Sequence, residues 1–566
     1  MAASVSATAD RSHNANFVQA CNFSKLGERL PLHWPVPPGV PPSPKRTYRS
    51  HYVYLGCEDL QDRQAWEHLS HFDVVLRLID FSGLRPVLAQ RLGWTCARGH
   101  TPFDPVSMFL LQGWQITSSW NRANTLKNLA DPRYDDYRER FGFEKGVYPT
   151  EGGLRYFLTA LGRQSDAKGD TVRIELDDEP AVEVVIQYLN QLLVGAVRLF
   201  QEANLFSSES WTQALVCPDG MLHDAASRMR CSSVQESCYQ PTSPEDPRPC
   251  PAKEKEKQGC DCQELACADV CRYATPRDTE ARFVYYSGSN QPHNSPNRPH
   301  DESKARKGHG RLCYGYRSLP LLLADPVHRF HVTLLQDFQA ANDREEVPAA
   351  ALLLQLKLFY PDLRLDAVVG DAGFGFDVFL RTIYQLKARR VVDLRAHETD
   401  KDKSQWPVRG YDDRGRPVCP FGYTFTANGF DAPRQRYKWF CAKACQGDDT
   451  KPVVYLQGTD YPPTECPYRD ARLPHGKILN VGERFQDRSI RLVRDVPVGS
   501  TAWKALYHRA RNASEDRNAA HQHWDVKRLS VYGSYRAKAF SFLTETWSAL
   551  TKLARLVREA TFADTS

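Results

Sequence analysis

Three carboxylates stand where a strand or helix would present them for chemistry. Residues 365–374 read Leu-Asp-Ala-Val-Val-Gly-Asp-Ala-Gly-Phe. Val368 and Val369 suit a buried strand, and Gly370 and Gly373 let the chain turn beside Asp371 and leave its side chain uncrowded. Asp371 is therefore expected at a strand's C-terminal tip, where open α/β sheets keep their chemistry. Its other use would be to cap a helix N-terminus. A second apolar run, Trp211 to Cys217, ends on Pro218-Asp219-Gly220. A third segment, Tyr507 to Arg517, is polar, compatible with a helix, and sets Glu515 among Arg509, Arg511 and Arg517. Asp219, Asp371 and Glu515 brought together would raise one another's pKa unless a cation stood between them. Such a hard-oxygen set suits Mg²⁺ or Mn²⁺. Asp516 is the rival third ligand, and on a helix it points about 100° away from Glu515.

From about Tyr52 onward, these ordered stretches resemble the bacterial insertion-sequence transposases of the Asp-Asp-Glu class, built on a ribonuclease-H-like core. Asp219-Gly220 is similar to the family's first catalytic aspartate, Val369 to Phe374 to the second, and Arg511-x-x-x-Glu515 to its Arg-x-x-x-Glu. Two departures stand out: Tyr507 lies four residues before Arg511 where the family has three, and Gln522 takes the place of a basic residue seven after the glutamate. The resemblance implies DNA cleavage and strand transfer by phosphoryl transfer, with Asp219, Asp371 and Glu515 as catalytic metal ligands. It also implies DNA as partner (terminal inverted repeats and target) and a homodimer in the active complex. Arg511 lies one turn from Glu515 and could neutralise a phosphate. Arg517, Lys527, Arg528 and the basic run Lys304, Arg306, Lys307 are further candidate DNA contacts. Two rival functions are a nuclease of the same fold without strand transfer, and a non-catalytic zinc-containing DNA-binding protein.

The elements that must position these groups follow from composition and periodicity. At 566 residues the chain has room for several domains, and 74 Lys+Arg against 68 Asp+Glu leave a net charge of only +6. Any nucleic-acid surface must therefore be local. No secretory signal or membrane-length apolar run is expected, which points to a cytoplasmic, nucleoid-associated protein. Residues 1–50, rich in proline from Pro31 to Pro44, read as a disordered tail. Residues 51–165 read as a helical domain, with Asp104 capping a helix that begins at Pro105. The resemblance implies that this domain binds DNA, with Arg122, Lys127, Arg138 and Arg140 as candidate phosphate contacts; the alternative is a solvated helix face. Residues 166–395 read as the first part of an α/β core, a mixed sheet flanked by helices, with a long helix expected over 179–204. Short apolar runs at Phe283 to Tyr286, Gly315 to Arg317, His331 to Leu335 and Val391 to Leu394 are its strands. Residues 496–566 return to the core, with an amphipathic helix over 541–560.

Sixteen cysteines in a reducing compartment read better as metal ligands than as disulfides. Seven lie within residues 228–275; Cys250, Cys260, Cys262, Cys267 and Cys271 form a candidate zinc cluster, with free thiols the alternative. Residues 396–495 read as a β-rich insertion whose Cys419, Cys441, Cys445 and Cys466 would hold a structural zinc. Trp439, or less readily Trp406, could stack on an unpaired base, or simply pack a small core. Cys217, inside an apolar run, reads as a small buried filler.

Overall fold

The computed structural model describes residues 32–34, 47–57, 68–93, 101–163, 171–176, 180–226, 278–286, 311–325, 330–393, 410–411, 416–419, 422–431, 436–443, 478–482 and 501–563, with a few isolated positions. The cysteine cluster of residues 228–275, the run Lys304, Arg306, Lys307, and Trp406 and Cys466 lie outside the described residues.

A seven-stranded mixed sheet organises the chain. Its strands are β3 (Ala214–Pro218), β4 (Met221–Asp224), β5 (Arg282–Tyr286), β6 (Arg311–Ala324), β7 (His331–Ala340), β8 (Leu365–Gly370) and β9 (Arg389–Val392). The long β6 pairs antiparallel with β7 along one edge and, in succession, with β4 and β3 along the other; β5 pairs antiparallel with its Arg311–Gly315 end, across Gly315 from β4. β8 and β9 then extend the sheet beyond β3, both parallel to it. Strands β3 and β4 keep one register on β6: Pro218 faces Leu321 and Met221 faces Ser318, so Asp219 and Gly220 fall opposite Pro320 and Leu319. The Asp219 N–H donates to the Pro320 carbonyl at 3.2 Å, but proline has no N–H to return the bond. The ladder breaks there, at the residue whose side chain matters.

Helices cover both faces. Alternate residues Val216, Val368 and Val392 join the main core with α7 (Asn190–Glu202), α8 (Glu346–Phe359) and α9 (Asp377–Gln385). The other alternates, Leu215, Cys217, Ala367, Val369 and Val391, meet Trp503, Ala510 and Ala513 of α10 (Thr501–His523). Period 2 on the strands and period 3.6 on the helix thus pin α10 across the carboxyl-terminal half of the sheet. Cys217 is buried in this layer, as expected of a filler.

The helical segment comprises α1 (His71–Leu78), α2 (Arg85–Arg91), α3 (Pro105–Thr117), α4 (Arg122–Ala130), α5 (Asp135–Phe141) and α6 (Glu151–Gly162). Asp104 caps α3 as expected, accepting from the Val106 N–H at 3.0 Å, and pairs with Arg85 at 2.8 Å. This segment shares one hydrophobic core with the sheet because the 30-residue α11 (Ser534–Ala563) runs through both. Trp547 of α11 is fully buried against Phe72, Phe81 and Phe109. Its indole occupies the space a side chain at Gly113 would need, since a Cβ there would stand 1.9 Å from Cε2.

Two expectations are corrected. Helix α7 begins at Asn190; residues 182–185 instead form β2 (Val182–Val185), paired antiparallel with β1 (Thr171–Ile174). Val182, Val184 and Val185 favour a pleated surface, and helical spacing of apolar residues alone could not exclude it. The proline-rich tail is also docked in part: Leu32 and His33 pair with Ile79 and Asp80, and Trp34 is buried against Phe81 and Phe109. Between β9 and α10 the described residues include an antiparallel sheet of β10 (Thr426–Asp431), β11 (Arg436–Phe440) and β12 (Ile478–Gly482), consistent with a β-rich insertion.

Candidate active site

The registers of three parallel strands set the carboxylates in a row. Val216 pairs with Val368, so three residues further along both strands Asp219 comes beside Asp371. Gly370 pairs with Val392, so one residue further Asp371 comes beside Asp393. Parallel neighbours are separated by about 4.8 Å. Asp371 makes the last turn of this arrangement: its carboxylate accepts from the Gly373 N–H at 2.8 Å and caps the short 3₁₀ turn Ala372–Phe374. Both uses anticipated for it, strand tip and cap, are realised by one side chain. Burial raises its pKa above the usual carboxylate range, the neighbouring Asp219 raises it further, and Arg511 opposes both.

Helix α10 supplies the countercharge. Arg511 Nη1 donates to Asp219 Oδ1 at 2.9 Å, and Asn518 Nδ2 donates to Asp219 Oδ2 at 3.1 Å. Seven residues apart, they lie two turns apart on one helix face. Burial disfavours the Arg511 charge, but Asp219 overcomes it and raises its pKa. Glu515, on the next turn, is exposed, with Oε1 4.0 Å from Arg511 Nη2. Asp516 turns elsewhere, toward the field of Lys552. Tyr507 stacks on Trp503 with ring centroids 4.1 Å apart, and its hydroxyl is pushed up to about 12 by burial and then by Asp393.

A fourth acid lies here that the sequence did not announce. Glu345, just before α8, lays its carboxylate against Gly220: a Cβ at that glycine would stand 2.7 Å from Oε2. Arg317 of β6 holds the Glu345 carboxylate at 2.8 Å. Burial pushes the Glu345 pKa up to about 7 against the pull of Arg317, with Asp371 and Asp219 adding their repulsion. Asp393 did carry a signal, since it ends Val391-Val392 as Asp371 ends Val368-Val369. Neither Glu345 nor Asn518 has a local pattern, because only the tertiary fold brings them to Asp219.

The oxygen-rich donor set fits a hard divalent cation in chemistry: acids from three strand ends and α8 outnumber the two guanidinium groups beside them. In the described arrangement Arg511 and Asn518 take up the Asp219 oxygens, and no three His, Cys, Asp or Glu side chains among the described residues converge as a metal-ligand group. The structure therefore brings Asp219 and Asp371 together and leaves Glu515 at the rim.

Several expected contacts are placed elsewhere. Arg517, expected to meet DNA, is buried instead: it pairs with Glu545 of α11, and both side chains are 2% exposed. Its register on α10 turns it inward, where it also donates to Asn518 Oδ1 at 3.0 Å. Arg138 is likewise buried, bonded to the Leu129 carbonyl and Asp135, and Arg140 pairs with Asp136 at 3.1 Å. Lys127 and Arg528 are exposed and Lys527 is half-buried. Trp439 packs with Cys441 against the small core of Cys419, Phe425 and Leu479. No helix among the described residues is long and apolar enough to cross a membrane. No family model matches the chain, and no curated protein matches it.

Proposed function

We propose that this chain is a DNA transposase of the Asp-Asp-Glu class, catalysing metal-dependent cleavage and strand transfer at element ends. The observation that carries this reading is the adjacency of Asp219 and Asp371 at the carboxyl ends of neighbouring parallel strands, with the Arg511-x-x-x-Glu515 turn of α10 laid over them. The path β7-β6-β3-β8-β9, antiparallel in its first three members and parallel in its last three, supports a ribonuclease-H-like core.

Asp219 and Asp371, joined by Glu515, would hold Mg²⁺ or Mn²⁺. When bound, such ions supply activation of the attacking oxygen and stabilisation of the leaving 3′-oxygen. The protein's own groups do the rest. Arg511, one turn from Glu515, offers its guanidinium to a phosphate once it leaves Asp219. Asn518 keeps Asp219 oriented through that exchange. Glu345 and Arg317 brace the Gly220 turn from beneath. Lys527 and Arg528, beside the end of α10, would meet flanking phosphates. The partners proposed are element-end and target DNA and, in the active complex, a second copy of the chain at the nucleoid.

Structural zinc in the insertion is part of the same reading. Its support is that Cys419 and Cys441 pack in one small core and that the Tyr423 N–H donates to Cys419 Sγ at 3.3 Å. Cys445 and Cys466 would complete a closed site.

The test is incubation with DNA carrying the element's own ends and Mg²⁺. Cleaved and joined products are expected from the wild type and from Asp516→Asn. None are expected from Asp219→Asn, Asp371→Asn or Glu515→Gln, all of which keep DNA binding. Cleavage without joining assigns a nuclease instead, and no cleavage with either Mg²⁺ or Mn²⁺ overturns the proposal.

A further inference from the structure

Away from the carboxylates, a cleft of about 860 Å³ opens between α2, α6, the Tyr188–Leu192 segment and the start of α11. Its floor is apolar, built on Val87, Leu88, Leu161 and Leu192, all buried in the main core. Its walls carry Arg91, Arg155, Arg163 and Arg536, and among the described residues no aspartate or glutamate lines it. Such a one-signed rim around a low-dielectric floor focuses potential on an anion.

Two tyrosines add a flat surface: Tyr188, beneath the Arg91 guanidinium at 5.4 Å, and Tyr156, which is 60% exposed. Gln90, Gln191 and Thr159 put hydrogen-bonding groups on the same walls. The basic group continues outward to Arg122, whose Nε is buried without a hydrogen-bond partner and whose neighbours are Arg155 and Arg536, with Glu151 the acid among them. Glu151 is already engaged by Arg155 at 3.1 Å, and Arg536 is anchored through Nε to Thr159 Oγ1 at 2.7 Å. An aliphatic acid would use one cation and leave the polar walls idle. A flat aromatic ring with an attached phosphate uses floor, tyrosines, amides and arginines together.

We propose that this cleft binds one nucleotide unit of a DNA strand, its base on the apolar floor beside Tyr156 and Tyr188 and its phosphate on Arg155 and Arg536. The base-plus-phosphate chemistry stands on the cleft alone; the choice of a strand over a free nucleotide rests on the transposase reading.

The test is fluorescence anisotropy of a short labelled single-stranded oligonucleotide with the full chain in EDTA, so that binding is read without cleavage. Tyr156→Ala is expected to weaken binding about tenfold. The slope of log affinity against log salt should flatten by about 0.7 in Arg155→Ala and about 1.4 in Arg155→Ala/Arg536→Ala. Arg155 and Tyr156 are exposed, so their loss leaves the fold intact. Unchanged affinity and slope in all three variants overturn the proposal, as does displacement of the oligonucleotide by deoxyadenosine monophosphate at matched concentration, which makes this a free-nucleotide site. Asp219→Asn is expected to bind like the wild type. A wild type that binds through the cleft but never cleaves removes the transposase reading and leaves the cleft. One that cleaves while the cleft variants bind normally does the reverse.

Discussion

Replacing Arg517 by Met should cost the fold several kcal/mol and also disturb Asp219, although Arg517 never touches it. Arg517 Nε donates to Glu545 Oε1 at 2.8 Å, Nη2 reaches Ser318 at 3.4 Å, and Nη1 holds Asn518, which in turn holds Asp219. Although burial alone would raise it, Arg517 and then His521 hold the Glu545 carboxyl down at about 2 from an ordinary 4.5. A carboxyl held below its ordinary value in the folded protein lends the fold stability. Because the folded value is the lower one, this stability is fully present above the ordinary carboxylate pKa and is lost as pH falls through about 2. Removing one member strands the other charge in the interior, at about 3–5 kcal/mol. Arg517→Met/Glu545→Leu strands neither, and should cost about 1–2 kcal/mol, chiefly because Thr333 Oγ1 loses its 2.7 Å acceptor on Glu545. Urea unfolding followed by tryptophan fluorescence, run as a double-mutant cycle, should give a coupling of at least about 2 kcal/mol. Strand cleavage by the double variant should remain impaired, because Asn518 has lost its support. Additive single costs, or full activity in the double variant, would refute this chain of contacts.

Burial lowers the pKa of His223 to about 4 and of His521 to about 3, so the stability they lend is present above about pH 6.5 and disappears as pH falls through those values. The urea midpoint of the wild type should drop between pH 6.5 and 4, and His521→Gln should flatten that drop. Glu345 behaves oppositely: its raised pKa means stability is lost as pH rises through about 7, so Glu345→Gln should stabilise the metal-free protein above neutrality. Mg²⁺ or Mn²⁺ should raise the melting temperature of the wild type, and a rise of the same size in Asp219→Asn/Asp371→Asn would rule out these acids as its ligands. Gly113→Ala should lose at least about 1–3 kcal/mol in thermal unfolding, since the added methyl meets the Trp547 ring.

What was legible in the sequence was local. The β-branched run ending on Gly370-Asp371, the Asp104-Pro105 helix start and the apolar run before Asp219 each depend on neighbours within a few residues, and each forms the element its pattern suggests. The four-residue step from Arg511 to Glu515 likewise holds, because a helix turn converts spacing into a shared face. Where two local patterns competed, as in the valines of 182–185, antiparallel pairing with the preceding strand β1 decided for a strand. Charge was the least legible property. Arg511 and Arg517 lie six residues apart in the same basic helix, yet one faces Asp219 at the carboxyl end of β3 and the other faces Glu545 in the interior. Composition cannot separate them, because the difference is which side of α10 meets the sheet and which meets α11. The row Asp219, Asp371, Asp393 is set by strand register, and Glu345 by the packing of α8 on Gly220. Register and packing are long-range, so only the assembled sheet decides which acids share a field.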